Sequence, residues 1–185
     1  MFMDYETFEK YCQTCTAIPV SRRMLADVMT PVSVFLSIRE GAEYPFLLES
    51  VEGGEQLARY TFLGSNPYQV LIFDGSDSWM RRNGENRRVE RPYFELLREL
   101  TAPHREPDLP DLPRLTGGAV GFSSYDTVRE LEKLGETPPS DLALPEAVWA
   151  FYDQIIAFDH VKKQLVLIKT VFVGPETDPA AAWQE

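Results

Sequence analysis

From residue 45 to residue 82 the chain repeats one pattern, a short apolar or β-branched run followed by residues that favour turns. Runs at 45–51 and 59–64 flank a stretch containing Gly53-Gly54, and runs at 68–74 and 78–82 flank Gly75-Ser76-Asp77. Glycine, asparagine and aspartate reach the backbone conformations that reverse a chain, so such punctuation between apolar runs predicts an antiparallel meander. The rest of the chain decorates this series. Residues 4–15 carry Tyr5, Phe8, Tyr11 and Cys12 on one helical face, with Asp4 as N-cap. Residues 18–25 read as extended, and Thr30-Pro31 opens a helix over 31–39 with Thr as cap and Pro in its first turn. A helix is predicted at 92–100, where Phe94, Leu97 and Leu100 share a face. Four prolines within 103–113 exclude helix and central strand there. Beyond them, 117–123 is expected to be a buried strand, 125–134 a helix, 136–145 a second proline-bearing connection, and 147–159 and 164–173 strands buried on both faces, the first broken near Asp153. Without a regular βαβ rhythm, the fold class is α+β with mostly antiparallel sheets and flanking helices.

The ending carries its own expectation. Thr177-Asp178-Pro179 starts a helix that runs only to Glu185. So short a helix is marginal by itself, because nucleation costs more than one or two turns return. The expectation is that these 185 residues are a piece of a longer protein, one domain of it.

Composition narrows the function classes. With 18 Lys plus Arg against 29 Asp plus Glu, the formal net charge is −11, which opposes binding to phosphate backbones. No apolar run approaches the roughly 18–20 residues of a membrane span. The opening Met1-Phe2-Met3-Asp4 lacks the basic and apolar regions of a signal peptide. The expectation is a cytoplasmic protein with no nucleic-acid or membrane partner. The only cysteines, Cys12 and Cys15, close a helix rather than open one, and His104 and His160 lie far from them, so two structural thiols are expected rather than a redox or zinc site.

No catalytic signature is present. Gly117-Gly118-Ala119-Val120-Gly121 matches neither a dinucleotide fingerprint nor a P-loop, and its glycines fit close backbone packing better. Glu130 and Glu132 fall on an expected solvated helix face, and His104 sits in the proline-rich connection. One stretch stands out. If 45–51 and 59–64 form a hairpin, Glu49 and Arg59 can approach each other beside an apolar strand. A carboxylate, a cation and an apolar wall are what a free amino acid requires. On the chemistry of the residues alone, an ordinary cross-strand ion pair is the favoured reading of the same pair.

Several motifs occur together and in order: Ala26-Asp27 with Thr30-Pro31-Val32-Ser33, then Leu47-Leu48-Glu49-Ser50, Glu52-Gly53-Gly54-Glu55, Arg59-Tyr60, Phe62-Leu63-Gly64, and finally the segment from Leu115 through Gly117-Gly118-Ala119-Val120-Gly121-Phe122 to Asp126. From about residue 17 onward the chain resembles the N-terminal part of the large, chorismate-using component of anthranilate synthase. Ser123-Ser124 departs slightly from that pattern, which often has an aromatic residue before the serine. The similar component of aminodeoxychorismate synthase is the alternative within the resemblance.

The resemblance implies a two-sheet sandwich wrapped by helices. It implies a parent enzyme that aminates chorismate with ammonia from a glutaminase subunit, component II, and eliminates pyruvate with magnesium bound. It places the catalytic and magnesium-binding residues in a C-terminal half with no counterpart here, so no catalytic residue and no cofactor are expected in this chain. What it carries over is a feedback site for tryptophan, lined by Leu48, Glu49 and Ser50, with Arg59 at a basic position after the motif. Alternation along a strand points the Glu49 and Ser50 side chains to opposite faces. The expected partners are thus tryptophan, component II and the protein's own C-terminal catalytic domain, against which strands 147–173 would pack. A non-catalytic interaction module is the reading from another class.

Overall fold

The computed structural model describes residues 3–49, 59–102, 104–135 and 144–184. Among these residues ten strands form two five-stranded antiparallel sheets, and the chain divides into two compact units, each built around one sheet.

The first unit comprises residues 1–67, 103–118 and 152–185. Its sheet contains β1 (Ala17–Leu25), β2 (Phe46–Glu49), β3 (Tyr60–Gly64), β9 (Gln154–Asp159) and β10 (Gln164–Phe172), in the order β1-β10-β9-β3-β2. The strand at its centre, β9, pairs with β10 on one side and β3 on the other, and Ile155, Ala157 and Phe158 are buried there. Helix α1 (Tyr5–Cys12) starts where Asp4 accepts the Thr7 N–H at 2.8 Å. Its Phe8 is fully buried and packs with Ile18 and Val173. Helix α2 (Pro31–Arg39) has a complete capping box, the Thr30 hydroxyl accepting from Ser33 N–H and the Ser33 hydroxyl accepting from Thr30 N–H. Such a cap satisfies two helix N–H groups and is worth about 1 kcal/mol. Its Val34, Phe35 and Ile38 lie on Leu63, Phe158 and Leu165. The terminal α4 (Pro179–Gln184) is not solitary: Trp183 stands 5.1 Å from the Phe8 ring and 6.1 Å from the Tyr5 ring.

The second unit comprises residues 68–102 and 119–151. Its sheet contains β4 (Gln69–Phe73), β5 (Ser78–Arg82), β6 (Glu85–Val89), β7 (Gly118–Ser123) and β8 (Ala147–Tyr152), in the order β6-β5-β4-β8-β7. Helix α3 (Tyr93–Leu100) covers it through Tyr93 and Leu96, which pack with Leu71, Phe73, Ala147 and Phe151. Tyr93 stacks on Phe73 at 4.8 Å, and its hydroxyl lies 2.7 Å from Ser123 Oγ and accepts the Trp149 indole N–H at 2.9 Å.

Three expectations are corrected. The segment expected to be a buried strand is the edge strand β7, and Gly118, Gly121, Phe122 and Ser123 on it are exposed. The helix expected over 125–134 is a 3₁₀ turn from Tyr125 to Glu130, held by Thr127 Oγ1 donating to the Ser124 carbonyl at 2.8 Å. The apolar run 147–159, expected as one strand broken near Asp153, is parted there, but its halves are two strands in different sheets. One strand, β6, went unforeseen. Its sequence, Glu-Asn-Arg-Arg-Val, lacks apolar alternation because it is an edge, and it is placed by the Asn83-Gly84 turn, both residues at positive φ. Residues 136–143 of the second proline-bearing connection lie outside the described residues.

Candidate functional site

Strands β2 and β3 form the hairpin expected from the sequence, with Leu47 opposite Leu63, Leu48 opposite Phe62 and Glu49 opposite Thr61. Register then sorts the side chains. Leu47, Glu49, Thr61 and Leu63 share the face on which α2 packs. Phe46, Leu48, Tyr60, Phe62 and Asp159 share the opposite face. Leu48 and Glu49 are both exposed, at the free edge of the sheet.

Arg59 does not reach for Glu49. Its guanidinium turns to Asp159 on β9, with Nη2 donating to Oδ2 at 2.7 Å and Nε donating to Oδ1 at 3.2 Å. It also lies over the Tyr60 ring, 4.8 Å from the centroid. The reason is register: Glu49 stands opposite Thr61, two residues beyond Arg59, whereas Asp159 stands opposite Tyr60, the next residue. Among the described residues Glu49 forms no ion pair.

Asp159 is only 4% exposed, and it also accepts the N–H groups of Val161 at 3.1 Å and Lys162 at 2.9 Å. Burial pushes its carboxyl upward, but the Arg59 hydrogen bonds and charge and those two N–H groups together outweigh burial and hold it below the ordinary carboxylate value. The same contact raises the Arg59 guanidinium. On the other face, Thr61 Oγ1 lies 2.8 Å from His160 Nε2.

The face therefore carries a graded row. Arg59 lies over Tyr60, the Tyr60 and Phe62 rings are 5.9 Å apart, and Phe62 stands opposite Leu48. The proline-rich segment passes beside it, fastened where Arg23 donates to the Asp111 carbonyl at 2.5 Å and where Thr16 N–H donates to the Arg105 carbonyl at 2.8 Å. Between this segment and Arg59 and Tyr60 lies a cleft of about 410 Å³, lined also by Pro19, Glu106, Asp108, Leu109, Leu112 and Arg114. Cations and carboxylates beside an aromatic plane and an apolar continuation are a surface for a small ligand that carries both charges and a flat apolar body.

Of the four residues singled out in the sequence, the structure brings Leu48 and the Arg59 guanidinium to one face and leaves Glu49 on the other. Ser50 lies outside the described residues. Tyr60, Phe62 and Asp159 were not singled out. Asp159 carried one signal, a carboxylate at a strand end just before the turn residues Val161-Lys162-Lys163, where aspartate commonly captures backbone N–H groups. Cys12 and Cys15 are free, half-buried thiols beside the Phe8–Ile18 cluster, and burial raises the Cys12 thiol. His104 lies with Nδ1 3.5 Å from Thr16 Oγ1 and its ring 5.0 Å from that of Phe172. Among the described residues no three His, Cys, Asp or Glu side chains gather as a metal-ligand set. No helix among them is long and apolar enough to cross a membrane.

No protein-family model matches the chain. It is 38% identical over 164 residues to "Anthranilate synthase component 1" of Acetivibrio thermocellus, covering 88% of this chain and 33% of that protein. It is 37% identical to the protein of the same name from Thermus thermophilus, over 89% of this chain and 33% of the relative, and 32% identical to that of Mycobacterium tuberculosis, over 96% and 35%. A crystal structure of anthranilate synthase component I from Streptococcus pneumoniae shares the fold with a TM-score of 0.53 at 23% identity, over 88% of this chain and 35% of that one. The chain spans about a third of the length of the curated relatives it matches. Over most of its own length, therefore, it belongs to the family of anthranilate synthase component 1.

Proposed function

We propose that this chain is the N-terminal, regulatory and scaffolding part of an anthranilate synthase component 1. The whole enzyme would convert chorismate and ammonia, delivered from glutamine by component II, to anthranilate and pyruvate with magnesium bound, in tryptophan biosynthesis. The acid–base and metal-binding residues would lie in the C-terminal catalytic domain, leaving this part to bind effector and to support that domain.

The observation that carries the regulatory reading is the row on the face of the β2–β3 hairpin opposite α2. Arg59 lies 4.8 Å from the Tyr60 centroid, with Phe62 and Leu48 following along the same face. Tryptophan needs a cation or N–H groups for its carboxylate, a carboxylate for its ammonium and an apolar surface for its indole. Arg59, Leu48 and Phe62 suit the first and last of these. Glu49 ends the same edge strand but faces the other side, so it would serve the ammonium only by reaching round the strand end, where Ser50 follows it in the motif.

The test uses the full-length enzyme supplied with ammonia, magnesium and chorismate, and follows anthranilate fluorescence. With Ser50→Phe, anthranilate formation is expected to continue at tryptophan concentrations that stop the parent enzyme. Unchanged inhibition would remove the assignment. In the same assay the 185-residue chain alone is expected to form no anthranilate, and turnover by it would overturn the division of labour.

A further inference from the structure

The guanidinium of Arg59 has donors that its partner does not use. Arginine offers five N–H groups in a rigid fork. Asp159 takes those on Nε and Nη2, and among the described residues none accepts from Nη1. The group is nevertheless fixed in space. The Asp159 carboxylate grips one edge, and the Tyr60 ring supports its plane. The carboxylate is in turn anchored by the Val161 and Lys162 N–H groups, and the main chain closes the frame where His160 N–H donates to the Arg59 carbonyl at 2.9 Å. The Arg59 side chain remains 34% exposed on the cleft below the proline-rich segment, while Asp159 is nearly inaccessible.

A long cationic side chain that must be ordered by its ligand gives up part of the binding energy to lost rotamer freedom. A guanidinium already ordered from beneath does not. We propose that Asp159 is a positioning residue of the effector site: its buried carboxylate holds Arg59 over Tyr60 with Nη1 uncommitted among the described residues, so that the carboxylate of an amino-acid ligand meets a preset donor edge. This rests on the tryptophan reading above and adds to it a residue about one hundred positions away in the sequence, on a different strand, that never touches the ligand.

The test is a double-mutant cycle on the full-length enzyme. The readout is the tryptophan concentration that halves each variant's own uninhibited rate. Asp159→Asn is expected to raise that concentration roughly threefold to tenfold, the cost of ordering one freed side chain. Asp159→Glu, which restores the charge, is expected to fall between Asn and the parent. Arg59→Ala with Asp159→Asn is expected to match Arg59→Ala alone, because Asp159 acts only through Arg59. Arg59→Lys keeps the charge and loses the fork, and is expected to weaken inhibition nearly as much as Arg59→Ala. It decides the matter if Asp159→Asn does not fold.

Normal inhibition of Asp159→Asn beside relieved inhibition of Arg59→Ala would overturn the positioning role and leave the tryptophan site standing. Full additivity of the two substitutions, or normal inhibition of Arg59→Lys, would overturn it as well. Normal inhibition of both Ser50→Phe and Arg59→Ala would remove the site itself, a distinct result.

Discussion

Tyr152 is 2% exposed, and its hydroxyl donates to the carbonyl of Tyr44, a residue held at a φ of 46°. Its ring lies 4.8 Å from that of Phe46, the first residue of β2. The phenol thus pins the entry to the edge strand on which Leu48 and Glu49 sit. Tyr152→Phe keeps the ring packing and strands the Tyr44 carbonyl, so a loss of about 1 kcal/mol is expected in urea unfolding at neutral pH. A pH signature accompanies it. Burial, with a smaller contribution from Tyr44, pushes the Tyr152 phenol up from 10.0 to about 12. Raised above its unfolded value, the group contributes stability that is complete below pH 10 and is lost as pH rises to about 12. Tyr152→Phe is expected to lack that part of the slope, so the two unfolding free energies should converge across this range.

At the scale of an element, β7 shows how a glycine run can be structural. A Cβ at Gly121 would overlap the Val148 carbonyl oxygen and press on the Trp149 Cα, both on β8. The strand lies so close that only hydrogen fits. Backbone atoms cannot swing aside, so Gly121→Ala is expected to displace the edge strand and cost about 2 kcal/mol or more, read as a lowered urea midpoint. The helices and strands of this chain were legible wherever local chemistry decides. Asp4 capped α1, Thr30 and Pro31 opened α2, and the turn residues between 64 and 78 separated β3, β4 and β5. Partnership between strands was not legible. Nothing in the apolar run from Ala147 to Asp159 tells that its halves join different sheets, because each half needs only apolar neighbours and either sheet offers them. The pairing of Arg59 failed to appear for the same reason. Glu49 is nearby in sequence and of the right charge, yet the register that awards Arg59 to Asp159 depends on β9 joining β3. The row of Leu48, Phe62 and Tyr60 could be anticipated only once the hairpin register was known.

For the molecule as a whole, neither compact unit is a continuous stretch of chain. The first is assembled from three segments and the second from two. A cut between β9 and β10 would therefore not release a stable N-terminal piece. It would strip β1 of the strand it pairs with among the described residues and leave one side of β9 bare. A chain ending at residue 162 is expected to lose near-ultraviolet circular dichroism and cooperative unfolding, whereas a native-like spectrum from it would show that β10 is dispensable.

The pairing of β1 with β10 matches Ala17 to Phe172 and Leu25 to Gln164. On a ribosome adding about 5–20 residues each second, the first strand would wait on the order of ten seconds for its partner to be synthesised. Throughout that interval Ile18 and Val20 have no ladder to join, and the closing loop carries a heavy entropic toll on the folding rate. The order of the sheet therefore leaves the β1 segment without its ladder until residue 172 has been synthesised.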